Sequence, residues 1–151
     1  MTLELTTADV PQEDDLAKVR QVAAAIDKGL QDTLSIAEES KVSRRHVGYA
    51  INAAMVLGWV AEGPEQLIAT EQGKKLLQTA ASSAEERALF RAAIEGSATL
   101  KSLAPDLLAA VGPTRVVLGQ RIAEATGLAK STAERRAQAL LAWRRQVLPA
   151  A

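Results

Sequence analysis

The sequence predicts a mainly α-helical protein made of two helix-turn-helix units, the first carrying a small β-hairpin. Three observations lead there. Residues 35–59, SIAEESKVSRRHVGYAINAAMVLGW, return in outline 86 positions later as residues 121–145, RIAEATGLAKSTAERRAQALLAWRR. On that offset Ile36-Ala37-Glu38 falls on Ile122-Ala123-Glu124 and Ser40 on Thr126. The apolar Val42, Val47, Ile51, Ala54 and Leu57 fall on Leu128, Ala133, Ala137, Leu140 and Trp143. What repeats is a short helix, a tight turn and a longer helix, a motif whose second helix can lie in a DNA major groove. Apolar residues also recur at spacings of three and four outside the repeat. Aromatics make up only 3% of a chain rich in alanine, which favours close helix packing over a sheet.

The elements follow in order. Residues 1–15 are polar and acidic, and are expected to form a mobile or loosely docked segment. Leu16, Val19, Ala23, Ile26 and Leu30 mark one face of a first helix, with Gly29 near its end. Thr33 or Ser35 can cap a short helix over 34–40, Ser35 and Glu38 having capping-box spacing. Ser43 caps a third helix that runs to Leu57 and stops at Gly58. Residues 59–61 and 66–69 are short strand-like runs around the turn Glu62-Gly63-Pro64-Glu65, and Thr70 caps a further helix through Leu77. Three helices, a hairpin and a following helix make a winged helix, residues 16–80.

After the small-residue linker 79–83, Ser83 and Glu86 form another capping box, opening a helix over 84–95. A helix over 99–111 contains Pro105, so it is expected to be kinked or broken. Residues 115–125 and 130–148 form the second helix pair, with Ser131 and Glu134 at capping-box spacing. No second hairpin follows, so the second unit, residues 84–148, is wingless or degenerate.

Composition narrows the function classes. The 151-residue chain has no cysteine and one histidine, which removes disulfide frameworks, thiolate nucleophiles and cysteine-rich zinc sites. No Gly-rich phosphate loop, Ser-His-Asp set or supported carboxylate pair is present, so the reading is not an enzyme and needs no cofactor. No apolar run approaches the roughly 20 residues that span a bilayer, and the acidic N-terminus is unlike a signal peptide. A soluble, cytoplasmic protein with no membrane partner is expected. Net charge is zero but polarised: residues 1–82 hold 8 Lys/Arg against 12 Asp/Glu, and residues 83–151 hold 10 against 6. The second half is therefore better suited to phosphates.

Placing Val47, Ile51 and Ala54 inward leaves Arg44, Arg45, Tyr49 and Asn52 on the outer face of the third helix. Arginine can bond guanine O6 and N7, and asparagine can bond adenine bidentately. A solvated face with two arginines after a cap is the plain alternative. In the second unit the outer positions are Lys130, Ser131, Glu134, Arg135 and Gln138, then Arg144 and Arg145, with Arg136 on the flank. The alternative there is an amphipathic closing helix whose arginine stems cover apolar surface. Glu134 and the acidic hairpin tip, Glu62 and Glu65, argue against close phosphate approach. His46 reads as a surface or DNA-facing imidazole, Glu13-Asp14-Asp15 as a solvated cluster, and Lys74-Lys75 as a solvated pair. Trp59 and Trp143 read as core anchors.

The runs IAEESKVSRRHVGYAINAAMVLGWV, LIATEQGKKLL, LFRAAI and IAEATGLAKSTAERRAQALLAWRRQVL together resemble the paired winged-helix segments that accompany restriction-type nucleases and other prokaryotic defence proteins. The resemblance covers about residues 16–148. It implies double-stranded DNA binding by a transcription regulator or by the targeting module of a restriction-modification or defence system, with the nuclease or ATPase in another domain or subunit. This chain carries no nuclease motif and departs from the family there. The alternative is a protein-interaction adaptor resembling the kleisin-interacting tandem winged-helix subunits of chromosome-organising complexes, which suits a neutral chain with an acidic wing. A homodimer through residues 16–30 stays open.

Overall fold

The computed structural model describes residues 9–148. Among them are eight helices and one two-stranded antiparallel sheet. The first unit contains α1 (Leu16–Asp27), α2 (Thr33–Ser40), α3 (Arg44–Val56), β1 (Val60–Glu62), β2 (Leu67–Ala69) and α4 (Glu71–Leu77). The second contains α5 (Ala84–Gly96), α6 (Ala98–Leu103), α7 (Arg115–Thr126) and α8 (Lys130–Val147). The helix expected over 99–111 is broken: Ala104 leaves helical geometry before Pro105, and turns fill the space to α7. Proline cannot continue the ladder, and it pushes the preceding residue out of the helical region.

The internal repeat holds bond for bond at its turns. Ser40 Oγ donates to the Ile36 carbonyl (2.6 Å) and accepts from the Val42 amide (3.2 Å). Eighty-six positions on, Thr126 Oγ1 donates to the Ile122 carbonyl (2.7 Å) and accepts from the Leu128 amide (3.1 Å). The next residue is left-handed in both, Lys41 at φ 63° and Gly127 at φ 77°. A non-glycine residue is disfavoured there by about 1 kcal/mol, a cost Gly127 avoids. Ser43 and Ala129 are then extended with nearly equal dihedrals, and neither side chain caps its helix. Turn geometry, rather than capping chemistry, starts α3 and α8. The expected box at Ser131 and Glu134 is not formed, since Ser131 already lies inside α8. The box at Ser35 is replaced by Asp32, whose carboxylate accepts from the Ser35 amide (2.9 Å). That bond is the first cause of the lowered Asp32 pKa.

The core runs through both units. Ile36, Val47, Ala50, Ala53 and Ala54 are buried in the first, and Ile122, Ala133, Ala137, Leu140 and Trp143 in the second. Ile51, expected inward, is only half-buried, because the inner face of α3 is rotated toward Ala50 and Ala53. α1 packs on α2, α3 and α4, while α5 packs on α4 and α8, joining the units. At that joint the Trp59 and Phe90 rings lie 5.5 Å apart. Arg20 of α1 bonds Glu86 of α5 and the Thr79 carbonyl. Glu86 also accepts from the Ser82 amide (3.0 Å), so the Ser83 box closes one residue early.

The hairpin pairs Val60 with Ala69, Ala61 with Ile68 and Glu62 with Leu67. The Gln31 carboxamide bonds both the amide and the carbonyl of Leu67, at 2.8 and 3.0 Å, satisfying the outer edge of β2 as a neighbouring strand would. α4 returns close against β1 at Gly73, which is buried beneath the Trp59 carbonyl.

Candidate nucleic-acid interface

α3 leaves the turn at Ser43 with Arg44 and Arg45 in its first turn, both exposed. Neither forms a hydrogen bond or ion pair within the described residues. They stand at the positive end of the helix dipole, where free amides and basic side chains together favour an anion. Asn52 is half-exposed on the same stripe, two turns on from Arg44. Tyr49 is also half-buried, and it sits further round the helix, edge-on to the His46 ring at 5.8 Å.

Between Arg44 and Asn52 lies Gly48, which sequence reasoning passed over. It is exposed in the middle of α3, and a Cβ there would meet nothing within 4 Å. A glycine inside a helix is less stable than alanine by roughly 0.5–1 kcal/mol. Nothing among the described residues requires that loss. The available signal was the glycine itself, interrupting an otherwise continuous helical pattern.

α8 repeats the arrangement. Lys130, Ser131, Arg135 and Gln138 are exposed at the positions equivalent to Arg44, Arg45, Tyr49 and Asn52, and none is paired within the described residues. Glu134 is turned away from this face. Its carboxylate is 3.5 Å from Arg115 Nε, and its Cα and Cγ cover Gly119 of α7. Its charge is partly offset, so the objection it raised is weakened.

Two arginines of α8 sit elsewhere than expected. Arg144 is held by backbone oxygen: its Nη1 donates to the carbonyls of Leu107 (2.6 Å) and Ala109 (2.7 Å), over the bare backbone of Gly112. These bonds close the turns after α6, and Arg144 is removed from the candidate contact set. Arg136 is buried rather than on the flank, and its Nη1 donates to the Val10 carbonyl at 3.1 Å. Burial lowers its pKa, and the nearby Tyr49 opposes that shift.

The segment 9–15 is also a correction. Residues 1–8 of the expected flexible tail lie outside the described residues, but Val10, Pro11 and Glu13 are buried. The Glu13 carboxylate lies 3.1 Å from His46 Nδ1 on α3, and its carbonyl accepts from Trp143 Nε1 on α8 at 2.8 Å. Gln146 completes the attachment, donating to the Asp14 carbonyl (2.6 Å) and accepting from the Leu16 amide (2.8 Å). Glu13 is therefore a fastening between the units, not a solvated charge.

Away from the two helices, Glu62 and Glu65 are exposed at the hairpin tip with no ion pair among the described residues, and Lys74 and Lys75 are exposed on α4. No described helix is long and apolar enough to cross a membrane. Comparison with protein-family models, with curated proteins and with solved structures finds no match.

Proposed function

We propose that this protein binds double-stranded DNA, as a regulator or as the DNA-targeting module of a restriction- or defence-type system. In this reading each unit is a helix-turn-helix, β1–β2 is the wing of the first, and α3 and α8 enter the groove. One observation carries it. On two helices that follow identically bonded turns, the first two outward positions are exposed and unpaired within the described residues, Arg44 and Arg45 on one and Lys130 and Ser131 on the other, and Arg135 is exposed further along the second. Gly48 adds support, because a bare backbone between Arg44 and Asn52 lets a groove wall approach α3 closely.

The adaptor reading is favoured by a different observation, the exposed acidic hairpin tip. A gel shift on random-sequence duplex at low and moderate salt separates the two. Four basic residues on phosphates give a slope of about −3.6 in log K against log salt, or roughly 150-fold weaker binding from 50 to 200 mM. Absence of duplex binding at low salt would favour the adaptor.

A further inference from the structure

We infer that residues 10–15 clamp α3 and α8 into a single reading head whose footprint is about one turn of duplex, rather than two readers placed on successive major grooves. The inference rests on the DNA-binding reading above and adds its geometry. Glu13 touches both helices at once, His46 through its carboxylate and Trp143 through its carbonyl. The two ends of one glutamate are at most about 7 Å apart on ordinary bond lengths. His46 Nδ1 and Trp143 Nε1 are thus within about 13 Å of each other.

A second tie lies nearer the middle of α8. Arg136, two turns back along α8 from Trp143, is bonded to the same segment through the Val10 carbonyl. α3 and α8 are therefore joined through a buried strip of chain. Readers on one face of B-DNA sit about 34–36 Å apart, one helical turn centre to centre. With His46 and Trp143 held within about 13 Å of each other by one buried glutamate, the two helices lie closer than that spacing.

Rigidity follows from the chemistry of the clamp. Opening it would expose Val10 and Glu13, free the Trp143 indole N–H, and break the Arg136 bond to the Val10 carbonyl. Each unmade buried hydrogen bond costs about 1–3 kcal/mol. The clamp therefore stays closed on DNA.

Two measurements test this. The chain has no cysteine, so nitroxides can be attached cleanly at Glu38→Cys and Glu124→Cys, exposed and equivalent positions of the repeat. Their distance distribution should be narrow and unchanged when random-sequence duplex is added. In parallel, affinity for duplexes of about 8, 12, 16 and 24 base pairs, corrected for the number of binding positions, should level off near 12. A broad distribution, one that shifts by about 10 Å on DNA, or a further tenfold gain between 12 and 24 base pairs would overturn the single head and leave DNA binding standing. A narrow distribution with no binding to any duplex at low salt would overturn the DNA reading, and the footprint with it.

Discussion

Replacing Gly73 by alanine tests how the hairpin is fastened to the helices. α4 begins right after β2, and its third residue is pressed against the end of the α3–β1 connection. A methyl at Gly73 would overlap the Trp59 carbonyl oxygen outright, and would stand 3.0 and 3.2 Å from the Trp59 C and Cα. These are backbone atoms and cannot swing aside. Trp59 is itself buried, and its carbonyl accepts from the Thr70 amide at 2.9 Å. Relieving the clash means moving α4 outward, at about 1–3 kcal/mol for overpacking and about 1 kcal/mol for the weakened Thr70 bond. Alanine returns up to about 1 kcal/mol of helix propensity. The net loss is about 2 kcal/mol, or about 4–8 °C in Tm for a chain of this size. Urea and thermal unfolding followed by circular dichroism measure it. A variant as stable as the parent, or more stable by the propensity gain alone, would refute the close approach.

Gly48→Ala should have the opposite sign, raising stability by about 0.5–1 kcal/mol because its surroundings are open. On the DNA-binding reading it should also weaken duplex affinity about fivefold, near 1 kcal/mol; stabilisation with unchanged affinity would leave this glycine without a role in the interface. The Arg121 guanidinium, bonded at 2.7 and 3.1 Å, holds the Asp106 carboxyl below its ordinary range. A lowered folded-state pKa stabilises above the unfolded value of about 3.9 and is lost as pH falls through the folded one. Asp106→Asn should therefore cost about 0.5 kcal/mol at pH 7, both partners being about one-third exposed. In urea unfolding at a series of pH values, that difference from the parent should shrink in acid as pH falls below the unfolded value of about 3.9. Glu62→Lys with Glu65→Lys should strengthen duplex binding and steepen the salt slope by about 1 per new phosphate contact. An unchanged slope would place the hairpin away from the duplex.

The helices were legible in the sequence because local pattern determines them. The 86-residue offset located both helix pairs, and the hydroxyl-bearing turns at Ser40 and Thr126 proved to be its most faithfully copied part. The hairpin was legible from Gly63-Pro64, although β1 lies one residue later than expected at both ends and β2 begins one residue later. What escaped depends on partners distant in the chain. Glu13 reads as solvated among three consecutive acids, yet its bonds reach His46 33 residues away and Trp143 130 residues away. Arg144 has the spacing of an exposed residue, but a turn 34–37 residues earlier points three carbonyls at it. Periodicity reports which face of a helix is polar. It does not report which polar groups another part of the chain has already engaged.

The central claim is that the outward basic residues of α3 and α8 meet phosphates. Its most direct test is the salt dependence of duplex binding, by fluorescence anisotropy, for the native protein and for Arg44→Ala/Arg45→Ala and Lys130→Ala/Arg135→Ala. All four side chains are exposed and unpaired within the described residues, so the variants should unfold at nearly the native midpoint. Each pair should reduce the steepness of the salt dependence by about 2, and the two pairs together should leave little binding at moderate salt. Native-like affinity and slope in both paired variants, or no duplex binding by the native protein at low salt, would contradict the claim.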